Sequence, residues 1–151
     1  MEVQYAIESL DATKDEIKPL AALQWEELKY APLDEEEFNP DIEGLLTMEQ
    51  IGSLLVITAR DEGELVGYLI LLCSEMINHK GSYMAAENAM YVDPAYRRAG
   101  IAQSIVKHAV AVCKNNGVKY LSFTVTPKLN YSPLLESLEF EQTEVVYTKR
   151  I

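Results

Sequence analysis

Residues 91–106 read YVDPAYRRAGIAQSIV. An apolar, strand-like segment runs through Asp93-Pro94 into two arginines and a glycine, and then into a helix. The first turn of a helix presents unpaired backbone N–H groups and the positive end of the macrodipole. Gly100 lets the backbone approach an oxyanion closely, the small Ala102 keeps the next turn uncrowded, and Arg97 and Arg98 add charge. These features suit a pyrophosphate; the plainer alternative is a surface turn. No G-x-x-x-x-G-K-[ST] is present, nor a G-x-G-x-x-G with its acidic partner, so neither a P-loop triphosphate nor a Rossmann dinucleotide is expected.

The pattern on either side is that of a mixed α/β chain. After the quoted turn, Ala102, Ile105, Val106, Ala109 and Cys113 recur at helical spacing, and Gly117 ends the helix. Upstream, VQYAIESL (3–10) reads as a strand and residues 14–30 as a helix, with Pro19 near its first turn. Asn39-Pro40 reads as N-cap and first position of a second helix. LLVITARD and ELVGYLILLC, joined by Glu62-Gly63, read as a hairpin, and AAENAMYVD as a third long strand. Downstream come a strand in VKYLSFTV, a short helix in SPLLESLEF and an alternating, strand-like TEVVYTKRI. That last strand would either close the sheet or lie at the edge of a homodimer.

Composition narrows the function classes. A length of 151 residues suits a single domain, 1–151, and a net charge of −11 argues against nucleic acid as a partner. No secretory stretch or membrane-length apolar run occurs, so a cytoplasmic location is expected. Cys73 and Cys113 fit no zinc or redox spacing, and no metal is expected. The charge is uneven: residues 1–75 carry 18 acidic and 4 basic residues, the remainder 6 acidic and 9 basic. An anion in the second half and a cation in the first would match that asymmetry.

Val92-Asp93-Pro94-Ala95-Tyr96-Arg97-Arg98-Ala99-Gly100-Ile101-Ala102 resembles the acyl-CoA-binding motif of the GNAT-type N-acetyltransferases, with Arg97-x-x-Gly100-x-Ala102 as its [QR]-x-x-G-x-[GA] core. The hairpin and the order of elements extend the likeness, and YVDPAYRR with SPLLESLEF is also similar to acetyltransferases carried by bacteriophages. The resemblance implies a central mixed sheet flanked by helices and splayed between its fourth and fifth strands. Acetyl-CoA would lie in the splay as cosubstrate. Its pyrophosphate would meet the backbone of Arg98, Ala99, Gly100, Ile101, Ala102 and Gln103, and its pantetheine arm would pair along Ala89, Met90, Tyr91 and Val92.

The reaction so implied is direct attack of a primary amine, on a small molecule or as a lysine or N-terminal amine of a peptide, on the thioester. A backbone N–H near Met90 or Tyr91 would stabilise the oxyanion. For the base, family spacing points to Asn88, which carries no titratable group and could only hold a water, leaving Glu87 as the titratable choice. Neighbours on a strand face opposite ways, so only one of the two reaches the site unless a bulge intervenes. Leu135 stands where relatives place an acidic Tyr; Tyr131, one turn earlier, or Tyr147 are the substitutes. Trp25, Tyr30 and His79 fall where relatives build the acceptor pocket, and an acidic lid there would favour a cationic acceptor. A catalytically degenerate acyl-CoA-binding regulator and an acidic interaction protein are the alternatives.

Overall fold

The computed structural model describes residues 1–151. Five strands, β1 (Val3–Glu8), β2 (Leu54–Asp61), β3 (Glu64–Glu75), β4 (Tyr83–Val92) and β5 (Val118–Ser122), form one sheet in the order β1-β2-β3-β4-β5. The first four are antiparallel neighbours; β5 runs parallel to β4. The β2–β3 hairpin turns at Glu62 and Gly63, whose φ angles of 49° and 85° are the left-handed pair that a two-residue turn requires.

Helices cover both faces. α3 (Ile101–Asn115) buries Ile101, Ile105, Val106, Ala109 and Cys113 against Leu69, Leu71, Met90 and Val92 on one face. On the other, α1 (Leu10–Leu28) packs Leu10, Ile17 and Leu20 onto Val56, Tyr68, Ile70 and Tyr91, with α2 (Ile42–Gln50) beside it. Each fully buried aliphatic side chain contributes about 1.5–3 kcal/mol, so these two layers hold the helices in place. α4 (Ser132–Ser137) adds buried Leu135 to the α3 side.

Three expectations need correction. α1 begins at Leu10, because the Ser9 hydroxyl accepts from the Ala12 N–H and the Glu49 carboxylate accepts from the Leu10 N–H at 2.6 Å. Pro19 therefore lies inside the helix, where the burial of Ile17 and Leu20 on either side offsets its lost hydrogen bond. α2 is capped by Asp41, whose carboxylate accepts from the Gly44 N–H at 2.9 Å, so Asn39 and Pro40 lie ahead of it. The alternating TEVVYTKRI forms no strand: residues 141–151 are exposed and pair with no sheet edge. Alternation marks a residue set fit for a sheet, but only a partner's hydrogen bonds make the strand.

The tail's recorded tethers are the exposed ion pairs of Arg150 with Glu35 and Glu36. Such pairs contribute about 0–1 kcal/mol. Deleting residues 144–151 is therefore expected to move the melting temperature by no more than about 3 °C, measured by circular dichroism.

Candidate active site

Parallel pairing of β4 with β5 covers only Tyr83 to Ala86, against Val118 to Ser122. From Glu87 to Val92 the β4 edge has no strand beside it, and the sheet opens into a V. At the mouth of that V, β4 carries an extra residue. Ile70 pairs with Ala89 and Leu71 with Glu87, so Asn88 is bulged out of the ladder. The bulge switches the faces: Ala85 lies in the α3-side core, while Ala89 and Tyr91 pack on the α1 side. It also removes the either-or choice between neighbours, since Glu87, Asn88 and Ala89 all line one cavity.

Beyond the V, the chain passes Asp93, whose carboxylate accepts from the Ala95 N–H, and a short 3-10 turn at Pro94–Tyr96. Arg98 and Gly100 then take left-handed φ angles of 68° and 76°. This kink turns the backbone so that no carbonyl of the chain accepts from the N–H groups of residues 98–103; the first α3 bond outside the helix body is Ser104 N–H to Gly100 C=O. Six consecutive free donors at a helix start form an anion cradle. A Cβ on Gly100 would meet nothing within 4 Å, so glycine is required by its φ, and the space in front of it is open to a ligand.

The two arginines differ. Arg98 is exposed beside the cradle. Arg97 turns away: its guanidinium forms a two-pronged pair with the Glu27 carboxylate on α1, donates Nε–H to the Val92 carbonyl at 3.2 Å and lies 5.1 Å over the Tyr91 ring. The Tyr91 hydroxyl donates to the same carboxylate at 2.6 Å. The side-chain charge expected to serve the anion thus fastens α1 to the end of β4 instead, and the Arg97 N–H turns to the Pro94 carbonyl at 3.4 Å. The Arg97 guanidinium and the Tyr91 hydroxyl hold the Glu27 carboxyl below its ordinary value, against the opposing effect of burial. A second tie lies deeper. The Gln24 amide donates to the Met90 carbonyl at 3.2 Å, and its carbonyl accepts from the Tyr68 hydroxyl at 2.8 Å.

The cavity at the mouth has a volume of about 460 Å³. Its sheet-side wall carries Tyr68, Ile70, Glu87, Asn88, Thr124 and Thr126; its helix-side wall includes Trp25, Tyr30, Leu33, Phe38 and Leu45. Trp25, Tyr30, Glu87 and Asn88 are thus brought together as the sequence suggested. His79 is not: it lines a separate hollow with Met76, Ser82, Lys119 and Tyr120. The acidic residues 34–37 do not line the cavity either, and Glu35 and Glu36 pair with Arg150.

Burial pushes the Glu87 carboxyl up, and the N–H groups of Thr124 and Met90 pull it back only in part. The Thr124 contact is long, at 3.4 Å. Tyr131 lies close enough to feel the Glu87 charge, and its hydroxyl donates to the Thr124 carbonyl at 2.7 Å. Burial first, and Glu87 second, push that phenol far above its usual value. Tyr147 is 93% exposed in the tail and meets none of these groups. Leu135 is buried in the core cluster, so a side chain there could not reach the V without repacking.

Gln24, Glu27, Thr124 and Thr126 were not singled out in the sequence. Gln24 and Glu27 did leave a signal: with Leu20 they stand at i+4 and i+7 on the buried stripe of α1, where an apolar helix face expects no polar group. The threonines left none, because they follow the end of β5 in irregular chain.

The model of the acetyltransferase (GNAT) family matches residues 16–132, and the chain belongs to that family. Among solved structures it is similar to a ribosomal-protein-alanine N-acetyltransferase from Brucella melitensis biovar Abortus 2308, at 19% identity and TM-score 0.76 over 100% of both chains. An aminoglycoside acetyltransferase, meta-AAC0020, from an uncultured soil metagenomic sample and in complex with sisomicin, matches at 16% and 0.73 over 99% of this chain and 96% of that one. AAC(6')-Iy in complex with the bisubstrate analogue CoA-S-monomethyl-acetylneamine matches at 18% and 0.73 over 100% and 99%. At these identities the likeness is one of fold. No curated protein matches the sequence significantly.

The raised Glu87 carboxyl fixes the sign of a stability effect. Between the ordinary value of 4.5 and its higher folded value, the folded state still holds a proton that the unfolded state has released. Stability supplied by protonated Glu87 is present below 4.5 and is lost as pH rises through the folded value. Glu87→Gln is therefore expected to be at least as stable as the parent at pH 8 and to flatten this dependence, read from urea midpoints at pH 5 and pH 8.

Proposed function

We propose that residues 1–151 form one acetyltransferase domain that moves the acetyl group of acetyl-CoA onto a primary amine by direct attack in a ternary complex. One observation carries the reading: six free N–H donors, residues 98–103, stand beside a strand edge, residues 87–92, that no other strand covers. A pyrophosphate fits the first and an extended amide-bearing arm fits the second. Acetyl-CoA supplies an acetyl group activated as a thioester, and the rest falls to the chain.

The cradle of Arg98, Ala99, Gly100, Ile101, Ala102 and Gln103 holds the anion through backbone donors, with exposed Arg98 adding charge. The open edge of Met90, Tyr91 and Val92 orients the arm. Glu87 is the base. Its carboxyl is held in a half-buried place that raises its proton affinity, which suits a group that must accept a proton from an ammonium near neutral pH. Asn88, bulged beside it, can hold a water between Glu87 and the amine. Tyr131 keeps its proton across the working pH range, and its O–H, which rests on the Thr124 carbonyl, would turn from that carbonyl to a leaving thiolate at the same end of the opening. A phenol so far above a thiol's pKa of about 8.5 steadies a thiolate by hydrogen bonding without giving up its proton. Cys73 and Cys113 are both unpaired, which accords with a reducing, cytoplasmic compartment.

Calorimetric titration with acetyl-CoA is expected to give one-to-one micromolar binding, and release of free thiol is expected on adding an amine. Gly100→Glu should lose that binding at least tenfold while keeping the circular dichroism spectrum, because the new side chain needs a strained φ and carries its charge into the open space. Glu87→Gln should keep the binding and lose turnover by about 100-fold or more. Binding without thiol release from any amine would instead favour a degenerate acyl-CoA-binding regulator. No binding at millimolar acetyl-CoA would overturn the proposal and turn attention to the acidic surface as an interaction site.

A further inference from the structure

The cavity beside Glu87 is chemically lopsided. Its helix-side wall gathers the apolar side chains of Trp25, Leu28, Leu33, Phe38, Ile42 and Leu45, with Gln24, Tyr30 and three lysines among them. Leu33 and Phe38 flank the acidic residues Asp34 to Glu37 and turn inward, while none of those four carboxylates lines the cavity. The acidic segment is therefore amphipathic across its length, with apolar ends facing the hollow and charges on the outside. Two of those charges are already paired with Arg150, at 2.7 and 3.3 Å. Glu27 on α1 is committed to Arg97 and Tyr91.

The charges that do line the cavity count against a polycation. Glu87 is the lone carboxylate, against Lys14, Lys18 and Lys29. Lys14 and Lys29 pair with Asp11 and Glu26, neither of which lines the hollow, and Lys18 has no ion-pair partner. A polycation entering here would find one anion, already required for one nitrogen, and an unpaired ammonium. Each further positive charge would be desolvated against apolar wall without compensation. The volume of about 460 Å³ is that of a small-molecule site, and pockets of this kind bind by apolar area with a few polar groups fixing orientation.

We propose that the acceptor is a monoamine carried on an apolar body of aryl or branched-alkyl size, its nitrogen at Glu87 and Asn88 and its body against Trp25, Leu33 and Phe38. This rests on the acetyl-transfer reading above and narrows it to a substrate class. A single methylene buried in an apolar pocket changes kcat/KM by roughly 10- to 200-fold, so a whole ring is a large lever.

The test compares thiol release by the full chain with acetyl-CoA and four amines: butylamine, 4-phenylbutylamine, spermidine and sisomicin. Phenylbutylamine is expected to exceed butylamine in kcat/KM by at least about 100-fold and to exceed both polycations. In Leu33→Glu, a change at a side chain that is already 40% exposed, the ratio of phenylbutylamine to spermidine should fall at least tenfold. Preference for spermidine or sisomicin, or an unchanged ratio in Leu33→Glu, would overturn the apolar acceptor and leave acetyl transfer standing. Absence of thiol release with all four amines would overturn both.

Discussion

The parting of β4 from β5 after Ala86 is the constraint on which the site depends. A continuous parallel pair would satisfy every backbone donor and acceptor of β4 from Glu87 to Val92 and leave no cleft. Because the pair ends, those groups must find other partners or face solvent. Gln24 takes the Met90 carbonyl and Arg97 takes the Val92 carbonyl. Both ties come from side chains, which can yield to a ligand at far lower cost than a strand can. The same two residues thus satisfy two of the carbonyls that the opening leaves without a strand partner.

The bulge at Asn88 works with that parting. A regular strand would set Glu87 and Ala89 on one face and send Asn88 to the other. With one residue extra, β4 serves the α3-side core through Ala85, Met90 and Val92 and the α1-side core through Ala89 and Tyr91. The switch falls at Glu87, whose carboxylate comes to lie in the V beside Thr124. A half-buried carboxylate without an ion-pair partner is unfavourable to the fold, and Glu87 has none: Arg60 is bound to Glu8 and Glu16, Arg97 to Glu27, and Lys14 and Lys29 to Asp11 and Glu26. Its raised proton affinity follows from burial, which no paired cation offsets.

The fold was legible where one chemical signal had one structural meaning. The turn at Glu62-Gly63, the α3 stripe from Ile105 to Cys113, and the V-D-P-x-Y-R-R lead to a helix start each allow few alternatives, and each lies where the sequence suggested. Helix starts were misjudged where several capping residues compete: Ser9 and Asp41 win by side-chain bonds that only the folded geometry decides. The tail misled because its alternation matches that of a strand while no partner edge is offered. At the site, the backbone cradle was readable because it depends on a glycine and a helix start. The side-chain direction of Arg97 was not, since a long cation is free to serve either an anion outside or Glu27 within.

Charge is the last point at which sequence and site diverge. A chain so acidic in its first half invites a cationic ligand, yet acidity acts on a ligand through the charges that face it. Here several carboxylates of the first half are spent in three ways. Glu8 and Glu16 anchor Arg60 to β1 and α1, Glu27 anchors Arg97, and the run from Asp34 to Glu37 covers the outside of an apolar lid. The two anchoring groups on α1 tie its first half and its last turn, Glu16 to the β2–β3 hairpin and Glu27 to the end of β4. The face of the helix from Leu10 to Leu28 that they hold against the sheet forms one wall of the cavity, opposite Glu87. Apart from Glu87, negative charge in this chain positions a hydrophobic wall and does not itself line the pocket.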